Sequence, residues 1–200
     1  MPDQLYLNLW FPSFSEAEMM PRLLSVMKQF PFSVQLPGVG YMAVHPISFS
    51  ETVVFEEAYD FRASPEDVTQ RAGEFLHSDY AYEFEALWDI WIPKKEGELD
   101  ETWTVTPQPV AFYAYGSDFE EGSFKENGHV QIDFGLDTPL LYEEGEFTPQ
   151  VASRIKANVQ KLVSFVQDVE KNCGISGRIL WSESEENLAQ KLIAKLQKVQ

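Results

Sequence analysis

Between positions 5 and 11 apolar residues recur at every second place, with Leu5, Leu7, Leu9 and Phe11 on one side and Tyr6, Asn8 and Trp10 on the other. That period of two predicts a β-strand rich in aromatics. The spacing then changes to that of a helix. Ser15 with Glu18 three residues on forms a capping box, Leu23, Leu24, Met27 and Phe30 recur at near-helical intervals, and Pro31 stops the predicted helix 16–30. After the turn chemistry of Leu36-Pro37-Gly38-Val39-Gly40, two short strands are expected at 41–49 and 52–59, paired antiparallel across Ser50-Glu51. Ser64 followed by Pro65, Glu66 and Asp67 is a cap with proline at the first helical position and acids in the first turn. Val68, Ala72, Phe75 and Leu76 mark that second helix's buried stripe. Alternation returns over 80–92, with Tyr82, Phe84, Ala86, Trp88 and Ile90 against Glu83, Glu85, Leu87, Asp89 and Trp91.

The order up to this point is βαββαβ, which predicts a ferredoxin-like sheet with its helices on one face. Residues 93–101 combine a proline, a glycine and a run of charge. They suggest a half-molecule at 1–96, a charged linker at 97–102 and a second half at 103–200, the two packing as one compact unit. In the second half a strand is expected over 103–115, its first part confined to an edge by Pro107 and Pro109. A polar connection at 118–128 leads to a strand at 129–134 with Val130, Ile132 and Phe134 inward and His129, Gln131 and Asp133 outward. Thr148-Pro149 repeats the cap-then-proline device. From there Val151, Ile155, Val159, Leu162, Val163, Val166 and Val169 trace a long amphipathic helix ending near Gly174. A short strand at 176–181, a capping box at Ser182 and Glu185, and a last helix marked by Leu188, Leu192, Leu196 and Val199 complete a ββαβα half. The fold class expected is α+β, with helices on one face of antiparallel sheet. The likeness of the two halves suggests a duplicated unit sharing one extended sheet, although no residue-level repeat supports it.

Composition fits a folded chain: 44% hydrophobic and 14% aromatic residues over 200 positions. A chain of that length buries roughly 70% of its unfolded surface. Charge changes the picture more. Of 32 Asp and Glu, 27 precede Thr148, where 7 Lys and Arg offset them, so this part carries −20 against +3 for the rest. A phosphate backbone or an anionic bilayer would be repelled, which argues against nucleic acid and membrane partners. The start Met1-Pro2-Asp3-Gln4 lacks a basic segment followed by an apolar run, and a single cysteine, Cys173, excludes an internal disulfide. A reducing cytoplasm is the expected location.

Catalytic templates find little purchase. Phosphate loops, dinucleotide fingerprints and nucleophile elbows are missing, and His45, His77 and His129 lack partners at metal-pair spacing, so no metal or cofactor is expected. Glu83, Glu85, Asp89, His129 and Asp133 are the acid–base candidates. Tyr6, Trp10, Trp91, Tyr113 and Tyr115 fall on faces opposite the more apolar set. Either a second layer covers them or they form an aromatic surface rimmed by acids, as interfaces do. The expectation is a non-catalytic protein that binds a basic protein through Tyr6, Trp10, Glu83, Glu85, Asp89, Trp91, Tyr113 and Tyr115, in the manner of inhibitors and immunity-type proteins. The alternatives are an enzyme or small-molecule binder with a cleft between the halves, and a homo-oligomerisation module.

Overall fold

A computed structural model describes residues 3–96, 100–141, 148–182 and 188–197. Seven strands form one antiparallel sheet in the order β3-β2-β4-β5-β6-β1-β7. They are β1 (Gln4–Trp10), β2 (Val39–Pro46), β3 (Phe55–Ala63), β4 (Tyr80–Glu96), β5 (Asp100–Tyr115), β6 (Val130–Leu136) and β7 (Gly177–Ser182). The helices are α1 (Glu16–Met27), α2 (Pro65–Ala72), α3 (Phe124–Asn127), α4 (Thr138–Leu141), α5 (Pro149–Asn172) and α6 (Leu188–Gln197). The α+β class and the placement of the main helices on one face follow the pattern expected.

The caps are those the sequence calls for. The Ser15–Glu18 box opens α1, Ser64 accepts from the Asp67 N–H at the start of α2, and Thr148 accepts from the Val151 N–H at 3.3 Å to open α5. The Ser182–Glu185 box and Val199 involve residues outside the described ones.

Strand pairing departs from the ferredoxin-like expectation. The βαββαβ order is present, but β5 and β6 stand between β4 and β1, so the first half does not close a sheet of its own. The cause is local. β4 and β5 pair without interruption from Ala81↔Tyr115 to Glu96↔Asp100, so the nearest strand in sequence takes the place beside β4 that β1 would have filled. Residues 93–96 and 100–102, in and beside the stretch read as a linker, thus lie in paired strands. What remains of the split pattern appears twice: β3 and β4 flank β2 and are joined by α2, while β6 and β7 flank β1 and are joined through α5.

One face of the sheet carries Leu5, Leu7, Leu9, Met42, Val44, Phe84, Trp88, Phe112, Val130 and Ile132, all fully buried against residues of α1, α2, α5 and α6 in one continuous core. Phe30, just past α1, ties the layers together, with its ring centroid 5.0 Å from Phe112, 5.4 Å from Phe165 on α5 and 6.0 Å from Trp88. Each such fully buried side chain contributes roughly 1.5–3 kcal/mol. Beyond β2, the bare edge of β4 is closed by a side chain: Asn158 of α5 accepts from the Trp91 N–H and donates to the Trp91 carbonyl, both at 2.8 Å. An amide group thereby substitutes for a missing strand and satisfies an otherwise unpaired edge.

Candidate functional site

Because successive side chains on a strand point to opposite faces, the residues between the core positions project from the other side of the sheet. Their register builds two adjacent cross-strand rows. One runs Ala58, Tyr41, Glu85, Ala111, Asp133, Tyr6, Trp181; the next runs Glu56, Ala43, Glu83, Tyr113, Gln131, Asn8, Ile179. Among the described residues four helices have eight residues or more, and all four contribute to the core on the other face. Two connections cover part of it. Phe119 and Phe124, from the segment between β5 and β6, pack with Ala81, Tyr113 and Tyr115 in a small second cluster, and Phe49, from the segment after β2, stands edge-on to Tyr113, Tyr115 and Phe119.

Glycines pin the β5–β6 connection at both ends. A Cβ on Gly116 would lie 2.3 Å from the Ser78 carbonyl oxygen, and one on Gly128, where φ is 84°, would lie 2.7 Å from the Leu9 nitrogen. Only glycine allows the backbone that close. The two covering segments are also bonded to each other, with the Glu120 N–H donating to the Ile47 carbonyl at 2.8 Å. Ile47 and Glu120 both have positive φ, 56° and 44°. A β-branched residue with that backbone is strained, so the segment that sets Phe49 in place is held there by its surroundings.

Between these parts lies a hollow of about 230 Å³, lined by Tyr6, Phe49, Glu83, Tyr113, Tyr115, Gln131 and Asp133. Glu83 is held at both oxygens: one lies 2.7 Å from His45 Nε2 and the other accepts from the Tyr113 hydroxyl at 3.2 Å. A relay of amides runs under the hollow, in which the Tyr115 hydroxyl donates to Gln131 at 2.8 Å, Gln131 donates to Asn8 at 3.1 Å, and Asn8 donates to the Glu126 carbonyl at 3.1 Å. Burial pushes the Tyr113 and Tyr115 hydroxyls well above the usual phenol range, and nearby carboxylates push them further. Burial raises Tyr41 too, to about 12, with help from Glu56, Glu83 and Glu85. Burial also lifts the Glu85 carboxyl, as does the charge of Glu83, while Arg62 opposes the shift. These shifts share one direction because burial is the largest cause of each, with neighbouring carboxylates adding to it.

Five residues singled out from sequence are thus gathered in one hollow: Tyr6, Glu83, Tyr113, Tyr115 and Asp133. Glu85 stands on the same row as Asp133, with only Ala111 between them. The others are elsewhere. Trp10 donates its indole N–H to the Phe124 carbonyl at 3.1 Å. Asp89 accepts from the Val34 N–H at 2.8 Å; burial would raise its carboxyl, but hydrogen bonds from Val34 and Ser33 and the charge of Lys161 leave it lowered. Trp91 packs against the core beneath the Arg154 guanidinium, 5.1 Å from its ring. His129 does not join Asp133 in a charged pair. Its ring lies between those of Phe14 and Phe124, at 4.8 and 4.9 Å, and its Nδ1 accepts from the Phe11 N–H at 3.0 Å. Burial lowers its pKa, as suits a neutral ring with a packing role.

Phe49 and Gln131 escaped sequence reasoning. Phe49 was expected at the end of a strand, but β2 stops at Pro46, and that proline was the available signal. Gln131 was placed outward correctly, but its part in the relay depends on Asn8, 123 residues away.

Among the described residues no group of three or more His, Cys, Asp or Glu side chains could hold a metal ion, and no helix is long and apolar enough to cross a membrane. Compared with known proteins, the chain matches no family model, no curated protein and no solved structure.

Proposed function

We propose that this protein binds a basic protein partner through the face of its sheet turned away from the long helices, around Tyr6, Glu83, Glu85, Tyr113 and Asp133, with Tyr115 buried behind them. The observation that carries this reading is the register itself, which lays carboxylates and tyrosines in adjacent rows on the face opposite the one where the described long helices pack. Aromatic rings among charges of one sign are what an interface for an oppositely charged partner requires. The net −20 of the first 147 residues, 27 acids against 7 bases, would steer such a partner toward the surface.

The alternatives receive less support. A hollow of about 230 Å³ is smaller than the ~300–1,000 Å³ of sites that enclose a small molecule. Its hydroxyls are phenols shifted away from ionisation, which makes them poor nucleophiles. A homodimer through this face would set Glu83, Glu85 and Asp133 against the same acids of a second copy.

The test is affinity capture from native cell extract at low ionic strength with the intact chain and with the Glu83→Gln, Glu85→Gln, Asp133→Asn variant. The expected result is a basic protein that salt elutes and the variant fails to retain. Equal capture by both chains, or a captured protein that is acidic, overturns the proposal.

A further inference from the structure

The hollow has features that the surrounding face lacks, and they narrow what it can hold. The rings of Tyr113 and Tyr115 are nearly parallel, 12° apart with centroids at 6.2 Å, and Phe49 stands almost perpendicular to both, at 86° and 87°. Three rings thus make a corner, with Tyr6 on the far side stacked on Trp181 at 4.8 Å. Ring faces attract cations, and most strongly where water is excluded. None of the seven lining residues is a lysine or an arginine.

The carboxylates then discriminate between cations. A guanidinium is best held by a carboxylate offering both oxygens in a plane. At Glu83 a fork would have to compete with His45 and Tyr113, which each engage one of its oxygens, and at Asp133 with the Gly135 N–H at 2.8 Å. An ammonium needs no fork. It is a compact charge whose three donors can be shared among separate acceptors.

We infer that the hollow bounded by Tyr6, Phe49, Glu83, Tyr113 and Asp133 is a receptor for one ammonium head on an apolar stem, namely a lysine side chain of the basic partner. This deepens the reading of the face as a partner-binding surface and rests on it. The stem lies against the rings while the head sits between Glu83 and Asp133, the two carboxylates that line the hollow.

The test titrates the isotopically labelled intact chain at low salt with n-butylammonium, n-butylguanidinium and the neutral n-pentanol, followed by amide chemical shifts. The amine is expected to move the amides of Phe49, Tyr113 and Asp133, the guanidinium to bind about tenfold more weakly, and the alcohol to leave them still. Phe49 is 41% exposed, so Phe49→Ala should preserve the fold while weakening the amine about tenfold. Equal response to the alcohol, guanidinium binding as tight as the amine, or no response to the amine overturns the inference. A second arm uses a lysine-rich peptide. If it binds the intact chain but is indifferent to Phe49→Ala, the receptor assignment fails while the partner-binding face stands. If the amine binds and the peptide does not, the partner reading fails, and the lysine assignment with it.

Discussion

The two faces of this sheet are built from the same strands, residue by residue in alternation, yet they follow different rules. The helix-covered face is aliphatic and aromatic, fully buried, and held by interdigitation around Phe30, Trp88 and Phe112. The opposite face contains side chains of similar size, but they are tyrosines, amides and carboxylates joined by directed hydrogen bonds. One face is therefore held by packing volume, and the other by directed polar contacts among carboxylates, amides and hydroxyls. Antiparallel sheets allow this division because one side can remain in contact with solvent. Here the solvent side has been furnished rather than left plain.

The sharpest way to break the comparison is a truncation on each side. Phe112→Ala, on the covered face, should cost about 3–5 kcal/mol of stability in chemical denaturation through lost burial and an unfilled cavity. A loss below about 1 kcal/mol would mean the core is not packed as described. Next in size is the sheet edge. Asn158→Ala leaves the Trp91 N–H and C=O without their partner and should cost about 2 kcal/mol, whereas an unchanged midpoint would show that the edge is satisfied another way.

A smaller effect is linked to pH. His129 must stay neutral at Nδ1 to accept from Phe11, and burial lowers its folded pKa below the ordinary value. The unfolded chain therefore takes up the proton first, so this contribution is complete above about pH 6.5 and is lost as the pH falls toward the folded pKa. Urea midpoints of the native chain should decline across that window more steeply than those of His129→Phe, and parallel curves would refute the assignment.

How much of this was legible beforehand differs between the two faces. Periodicity alone sorts Leu5, Leu7 and Leu9 from Tyr6, Asn8 and Trp10, and caps at Ser15, Ser64 and Thr148 announce the helices, because these signals depend on neighbours in the chain. The order of strands was not legible, since choosing β5 over β1 as the partner of β4 depends on pairing that no single strand encodes. Asn158 was invisible for a similar reason: a polar residue in a buried helical stripe has no evident purpose until the bare edge of β4 lies beside it. In the hollow, Glu83 and the tyrosines could be nominated by face. Their convergence with Asp133 needed the register of four strands, and the wall supplied by Phe49 needed a covering segment that local pattern read as strand. His129 and Trp91 were misleading because alternation assigns a face but cannot see a side chain from another element, the Phe14 ring or the Arg154 guanidinium, closing over it.

On the proposed reading, charge on the face opposite the long helices, and not merely acidity at large, drives association. The direct measurement is the stopped-flow association rate with a purified basic partner across a range of salt, for the intact chain, for the Glu83→Gln, Glu85→Gln, Asp133→Asn variant, and for a variant neutralised at Glu16, Glu66 and Glu74 on the helical side. The face variant loses the Glu83 contacts to His45 and Tyr113, so it should fold with a stability loss of about 1–2 kcal/mol, yet associate about tenfold more slowly at low salt, with the helical-side variant close to the intact chain. Equal slowing by both variants, or no slowing by the first, would contradict it.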